Sequence, residues 1–287
     1  MRILLTNDDG IRAPGIVAMH DALIDAPIPG LPPHGGPVLD HSPGAVTRAP
    51  RSVVFTVAPL TVQSATSHGV TFHVPLMVKH ERISERYAGL AVDGRPADCV
   101  KLAIANLWPD HFGAGERPDL LISGMNAGAN CGINVIYSGT VAAAIEAAFL
   151  GVPSIAVSMT LGHGEPRFEI GAHWARQVIE RILRAGPLRA HECLSINIPP
   201  TDDARIDRMP DVRVCPMNTH GLVDRYEKRK SPLGGTYYWA AGHGLDFHRT
   251  ESGSDVDLLR QGCITVTPLQ FDLTQQERLE AWRSRLG

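Results

Sequence analysis

The sequence predicts an α/β fold, a mostly parallel sheet with helices on both faces, and three observations lead there. Short apolar runs alternate with stretches of helical periodicity along most of the 287 residues. The runs are apolar throughout, as strands covered on both faces require. Polar loops follow several of them, at the strand ends where α/β sheets bind ligands.

Residues 2–6 form an apolar run that stops at Asn7-Asp8-Asp9-Gly10, and Ile16, Met19 and Leu23 recur at helical spacing behind Pro14 and Gly15. This is a strand, a polar loop and a helix. Residues 52–58 read as a second strand, running into Gln63-Ser64-Ala65-Thr66-Ser67-His68. Residues 119–123 read as a third, followed by a Gly/Asn loop and a helix over 138–150. A strand over 153–158, a helix around 168–183 and a strand over 194–198 continue the alternation. Residues 262–269 give one more strand, and Thr274 opens a final amphipathic helix through Leu279, Trp282 and Leu286.

Two segments break the pattern. Residues 26–50 hold seven prolines and four glycines with little periodicity, which predicts a long inserted loop, mobile and dispensable. Residues 204–254 are rich in Arg, Gly, Tyr and Trp, and the alternation at Tyr237-Tyr238-Trp239 suggests β-hairpins. The expected organisation is a core over 1–203 with an inserted loop at 25–50, an extended β-hairpin arm over 204–254, and the last core strand with the C-terminal helix over 255–287.

Composition narrows the function classes. With 44% hydrophobic and 20% charged residues the chain is of ordinary globular type. A net charge of -3, with no dense Lys/Arg run, argues against long nucleic acids as partners. No stretch approaches the roughly 20 apolar residues of a membrane helix. Five cysteines without a C-x-x-C pair argue against a zinc knuckle or a disulfide framework. The chain opens on an apolar run and Asn7-Asp8-Asp9 instead of a secretory leader, so a cytoplasmic location is expected.

Asn7-Asp8-Asp9-Gly10 carries the most chemistry, because two adjacent carboxylates at a strand end are costly unless a cation neutralises them. A hard divalent ion such as Mg²⁺ or Mn²⁺ suits oxygen ligands with retained waters; read alone, the tetrapeptide fits a turn and helix cap equally well. Asn126 and Asn130 add amide groups in a loop whose glycines permit close backbone approach, though a plain Asn/Gly turn looks the same. That loop is neither G-x-G-x-x-G nor a P-loop. Tyr137-Ser138-Gly139-Thr140 opens a helix, an end that binds phosphate through free N–H groups and the helix dipole, or is simply capped by its serine. His68 reads as a structural histidine, and the absence of H-E-x-x-H leaves zinc unsupported.

In combination these motifs resemble the SurE survival-protein family. The match runs through residues 3–10, Pro14-Gly15-Ile16, Val57-Ala58-Pro59, Ser64-Ala65-Thr66, Asp93-Gly94-Arg95-Pro96-Ala97-Asp98-Cys99-Val100 and Ser123-Gly124-Met125-Asn126. It continues through Tyr137-Ser138-Gly139-Thr140-Val141, Ser254-Asp255-Val256-Asp257 and Thr265-Val266-Thr267-Pro268-Leu269. The resemblance implies a Rossmann-like core whose β-hairpin arm and C-terminal helix serve oligomerisation, by exchange between subunits of a homodimer or homotetramer. It implies a 5'/3'-nucleotidase, a divalent-metal phosphomonoesterase acting on nucleoside 5'- and 3'-monophosphates, with short polyphosphate as a further substrate. One divalent ion per subunit would be held by Asp8, Asp9, Ser64 and Asn126, with Asp8 and Asp9 the catalytic pair. Phosphate binding would fall to Asn7, Ser138, Gly139 and Thr140. The chain departs from the family at Leu60-Thr61, where an acidic and a basic residue are usual, at Arg95, usually Thr, and in the insertion. Two alternatives stand beside this reading. One is a nucleotide-binding sensor without turnover; the other is a haloacid-dehalogenase-like phosphatase with Asp8 as nucleophile, although its D-x-D spacing is missing because position 10 is glycine.

Overall fold

A computed structural model describes residues 1–36, 38, 53–202, 208–221, 223, 225–241 and 246–287. The strands are β1 (Arg2–Thr6), β2 (Val53–Pro59), β3 (Val78–Arg82), β4 (Ala88–Val92), β5 (Leu120–Ala127), β6 (Ser154–Met159), β7 (Cys193–Ile198), β8 (Val212–Val214), β9 (Arg225–Lys230), β10 (Thr236–Ala241) and β11 (Ile264–Leu269). The helices are α1 (Pro14–Ile24), α2 (Pro96–Leu102), α3 (Trp108–Phe112), α4 (Gly139–Phe149), α5 (Phe168–Ala185), α6 (Asp255–Arg260) and α7 (Gln276–Leu286). Nine strands form one sheet in the order β3-β4-β2-β1-β5-β6-β7-β11-β8, and β9 and β10 pair as a separate antiparallel hairpin. The contacts from β4 through β7 are parallel, whereas β3 and β11 run antiparallel to their neighbours β4 and β7.

The central strands β1, β2, β5 and β6 carry apolar runs because each supplies two cores. Successive side chains point to opposite faces, so Ile3, Leu5, Ile155 and Val157 enter the core beneath α1 and α5, while Leu4 and Ala156 enter the one beneath α2 and α4. Each fully buried Leu or Ile contributes about 1.5–3 kcal/mol relative to exposure. Helix α4 is alanine-rich on its packed side (Ala143, Ala144, Ala147, Ala148), which lets it lie close to the sheet.

The edge strand β3, its neighbour β4 and the helices α2, α3 and α6 go beyond the elements read from the sequence. Strand β3 is Val-Lys-His-Glu-Arg, largely exposed at the sheet edge, so burial imposes no apolar pattern on it. Helices α3 and α6 are only five and six residues long, too short for a clear period.

Part of the insertion is anchored, contrary to the expectation of an unattached loop. Asp25 accepts hydrogen bonds from the backbone N–H of His34 (2.9 Å) and Gly36 (2.6 Å). Arg176, fully buried on α5, donates to the carbonyls of Ala22 (2.5 Å) and Gly36 and pairs with Glu180 at 2.8 Å. Val38 is buried and its N–H reaches Leu23 O at 3.2 Å. A cationic side chain inside the core recruits carbonyls, and the incoming loop supplies one; the remainder of residues 26–50 lies outside the described residues.

The hairpin expected at Tyr237-Tyr238-Trp239 is strand β10, with Tyr226, Tyr238 and Trp239 exposed. Helix α7 buries none of its residues. All five cysteines are free, four of them buried. Among the described residues no helix is long and apolar enough to cross a membrane.

Candidate active site

Strand β1 lies between β2 and β5, so the chain leaves it toward one side and later returns on the other. At such a switch point the loops beyond the strand ends diverge and leave a crevice. A cleft of about 630 Å³ opens there, lined by Asp8, Asp9, Ser64, Asn126, Ser138 and Thr160 among others. Residues from the loops after β1, β2, β5 and β6 and from the start of α4 thus share one cavity.

Asp8 is almost fully buried, and its Oδ1 accepts a hydrogen bond from the Thr140 hydroxyl on the first turn of α4. Burial pushes its carboxyl up from 3.8 to about 6, opposed by that hydroxyl and reinforced by the charge of Asp9. Asp9 is partly buried and accepts from the Ala127 N–H at 2.9 Å; burial raises its carboxyl as well. Among the described residues no Lys, Arg or His pairs with either carboxylate.

Helix α4 approaches Asp8 so closely that position 139 must lack a side chain. A Cβ on Gly139 would stand 2.9 Å from Asp8 Cβ and 3.1 Å from Pro96 Cγ. Ser138 lines the cleft and caps the helix by accepting from the Val141 N–H at 3.1 Å, while Gly139 and Thr140 lie behind Asp8. Asn7 is fully buried and does not line the cleft: its Nδ2 donates to Gly10 O at 2.9 Å and shapes the loop, and its Oδ1 is buried without a partner.

Strand β5 shifts register between Ser123 and Asn126, and such an irregularity re-aims side chains. Gly124, at φ +136°, makes this possible, since a Cβ there would meet Val157 O at 2.1 Å. Asn126 donates from Nδ2 to Gly128 O at 2.8 Å, which leaves its amide oxygen for a ligand. Asn130 lines the same cleft and is held more widely: its N–H reaches Asn197 Oδ1 and its Nδ2 reaches Ser158 Oγ, both at 2.8 Å. The motif at Ser254-Asp255 stands outside the cleft and supports it, because Asp255 accepts from Gly132 N–H and Asn218 N–H, each at 2.8 Å.

The donor set suits a hard divalent cation. Two carboxylates, a hydroxyl and an amide oxygen share the cleft, and no Cys or His side chain among the described residues lines it. Among the described residues no cluster of three or more His, Cys, Asp or Glu side chains is placed to hold a metal. Two carboxylates completed by neutral oxygens and water match Mg²⁺ or Mn²⁺ chemistry. Asn134, Tyr137, Thr160 and Leu161 also line the cleft and went unread in the sequence as site residues. Tyr137 and Leu161 are side chains left exposed beside a polar site, a signal visible only once burial is known.

Comparisons with known proteins point to one family. The family model described as Survival protein SurE matches residues 42–222. The 5'-nucleotidase SurE of Rhodopirellula baltica is 42% identical over 279 residues, covering 97% of this chain and 96% of the relative. That of Heliobacterium modesticaldum is 38% identical over 288 residues, covering 100% and 92%. The crystal structure of the SurE protein from Aquifex aeolicus superposes with a TM-score of 0.75 at 30% identity, over 99% of each chain.

Proposed function

The chain belongs to the SurE family, and we propose that it is a divalent-metal-dependent nucleotidase releasing phosphate from nucleoside 5'- and 3'-monophosphates. The observation that carries this reading is the pair of raised-pKa carboxylates, Asp8 buried and Asp9 partly so, without a cationic partner among the described residues and in one cleft with Ser64, Asn126 and the capped end of α4. Asp8, Asp9, Ser64 and Asn126 would hold the ion, Mg²⁺ or Mn²⁺, one per subunit. When bound, such an ion supplies Lewis-acid chemistry, neutralising phosphoryl charge and making an attacking water more acidic.

The chain's own contribution is positioning and electrostatics. Thr140 orients Asp8, and the Ala127 N–H orients Asp9. Ser138 and the N-terminus of α4, with Gly139 giving the close approach, offer donors and a positive dipole end to the phosphoryl oxygens. Water forms the new P–O bond as the bond to the ribose oxygen breaks, and the leaving oxygen takes a proton. A nucleophilic Asp8 is disfavoured by its burial and its engagement with Thr140, and a sensor without turnover by the intact donor set.

The oligomer and the cytoplasmic location belong to the same proposal. Exposed Tyr226, Tyr238 and Trp239 on the hairpin, and Trp282 and Leu286 on α7, support contact with further copies of the chain. The test is phosphate release from a panel of 5'- and 3'-nucleotides and short polyphosphate, in EDTA and with single metals restored. Activity that persists in EDTA defeats the reading.

A further inference from the structure

Ser64 sits on a turn closed internally by one hydrogen bond, from the Thr66 hydroxyl to Gln63 O at 2.9 Å. Ala65 and Ser67 both adopt left-handed conformations, φ +56° and +55°, without being glycine. Such residues persist only where their surroundings over-determine them. Here the surroundings are explicit. The Gln63 N–H donates to Asp8 O at 2.7 Å, and Ser67 donates from its N–H to Tyr137 O (3.1 Å) and from its hydroxyl to Ile136 O (2.7 Å). His68 Nε2 donates to Glu146 Oε2 at 2.7 Å, and the other oxygen of Glu146 accepts from Lys101 Nζ at 3.1 Å.

Glu146 is the unusual member of this set. It is a buried carboxylate on α4, two turns beyond the Gly139 and Thr140 that abut Asp8. Burial alone would raise its carboxyl, but the hydrogen bonds from His68 and Lys101 outweigh that and hold it below the usual range, so it stays ionised. One helix therefore touches the β1 loop with its first turn and the β2 loop through Glu146, two turns on. We propose that His68 and Glu146 are positioning residues that clamp the Ser64 turn to α4, keeping Ser64 in register with Asp8 for metal binding. This rests on the reading of Ser64 and Asp8 as metal ligands.

The experiment uses the full-length chain with His68→Ala. The His68 side chain is 39% exposed, so its removal opens no core cavity. Mn²⁺ affinity is measured by calorimetry without substrate, and amide hydrogen exchange over residues 63–71 in the metal-free protein. Loss of a group that orients a ligand typically weakens metal binding by about 10- to 100-fold, and that is the expected rise in Kd, with faster exchange confined to the turn. His68→Gln, which restores an N–H donor of similar reach, should recover most of both. Glu146→Gln serves as the second variant should His68→Ala fold poorly, and should shift both readouts in the same direction. Wild-type Mn²⁺ affinity and unchanged exchange in His68→Ala, while Asp8→Asn binds no metal, overturn the clamp and leave the site standing. Wild-type affinity in Asp8→Asn removes the site, and the clamp with it.

Discussion

Replacing Asp8 by Asn should destroy activity and, in EDTA, raise stability. The amide keeps the side chain's shape and still offers an oxygen to the Thr140 hydroxyl, but it carries no charge. Loss of several kcal/mol of transition-state stabilisation corresponds to about a thousandfold in kcat. The stability effect follows from the carboxyl's own environment. Its pKa rises from 3.8 to about 6 on folding, mainly through burial. A group raised in this way contributes fully below 3.8 and loses that contribution as pH climbs through 6. Above pH 7 the metal-free wild type therefore carries a penalty of about 3 kcal/mol, which Asn escapes. At about 2 °C per kcal/mol for a chain of this size, the EDTA melt at pH 7.5 should rise by ~6 °C. Asn126→Ala, which removes a neutral ligand that water can replace, should cost far less activity. The assay pairs kcat at saturating Mn²⁺ with melts in EDTA at pH 4 and 7.5. An inactive Asp8→Asn protein that also melts well below wild type would make Asp8 a structural residue and refute the reasoning.

Gly139→Ala should cost about a hundredfold in kcat, the scale of a small misplacement of reacting groups, because its Cβ would press on Asp8 at 2.9 Å; wild-type turnover in that variant would show that α4 can retreat freely. Acid should loosen the anchored start of the insertion. Burial, then the nearby Arg176 charge, push His34 down to about 4, so stability should fall as pH drops from 6.5 toward 4, and His34→Gln should flatten that part of a Tm-against-pH curve. Deleting the β9–β10 hairpin should convert an oligomer to monomer or aggregate in sedimentation, and a wild-type monomer at micromolar concentration would remove the basis for that expectation.

What could be read in the sequence was whatever leaves a local record. Strands buried on both faces must be apolar throughout, so β1, β5, β6 and β7 were legible from their runs, and α1, α4 and α5 from their periodicity. The Asp8-Asp9 pair, Ser64, Asn126 and Ser138 could be nominated because each follows a strand or opens a helix, where ligand groups concentrate. An edge strand such as β3, solvated along most of its length, leaves no such record. Nor could local pattern tell Asn126 from Asn130, two amides in one loop. Only the packed chain shows the first bonded to Gly128 within its own loop and the second tied by its side chain to Ser158 and by its backbone to Asn197. The same holds for Thr140 on Asp8, for His68 on Glu146 and for Arg176 on the insertion, whose partners lie 132, 78 and 140 residues away. Periodicity reports whether a side chain is buried; which group it meets there depends on the strand order, and that is decided by tertiary structure.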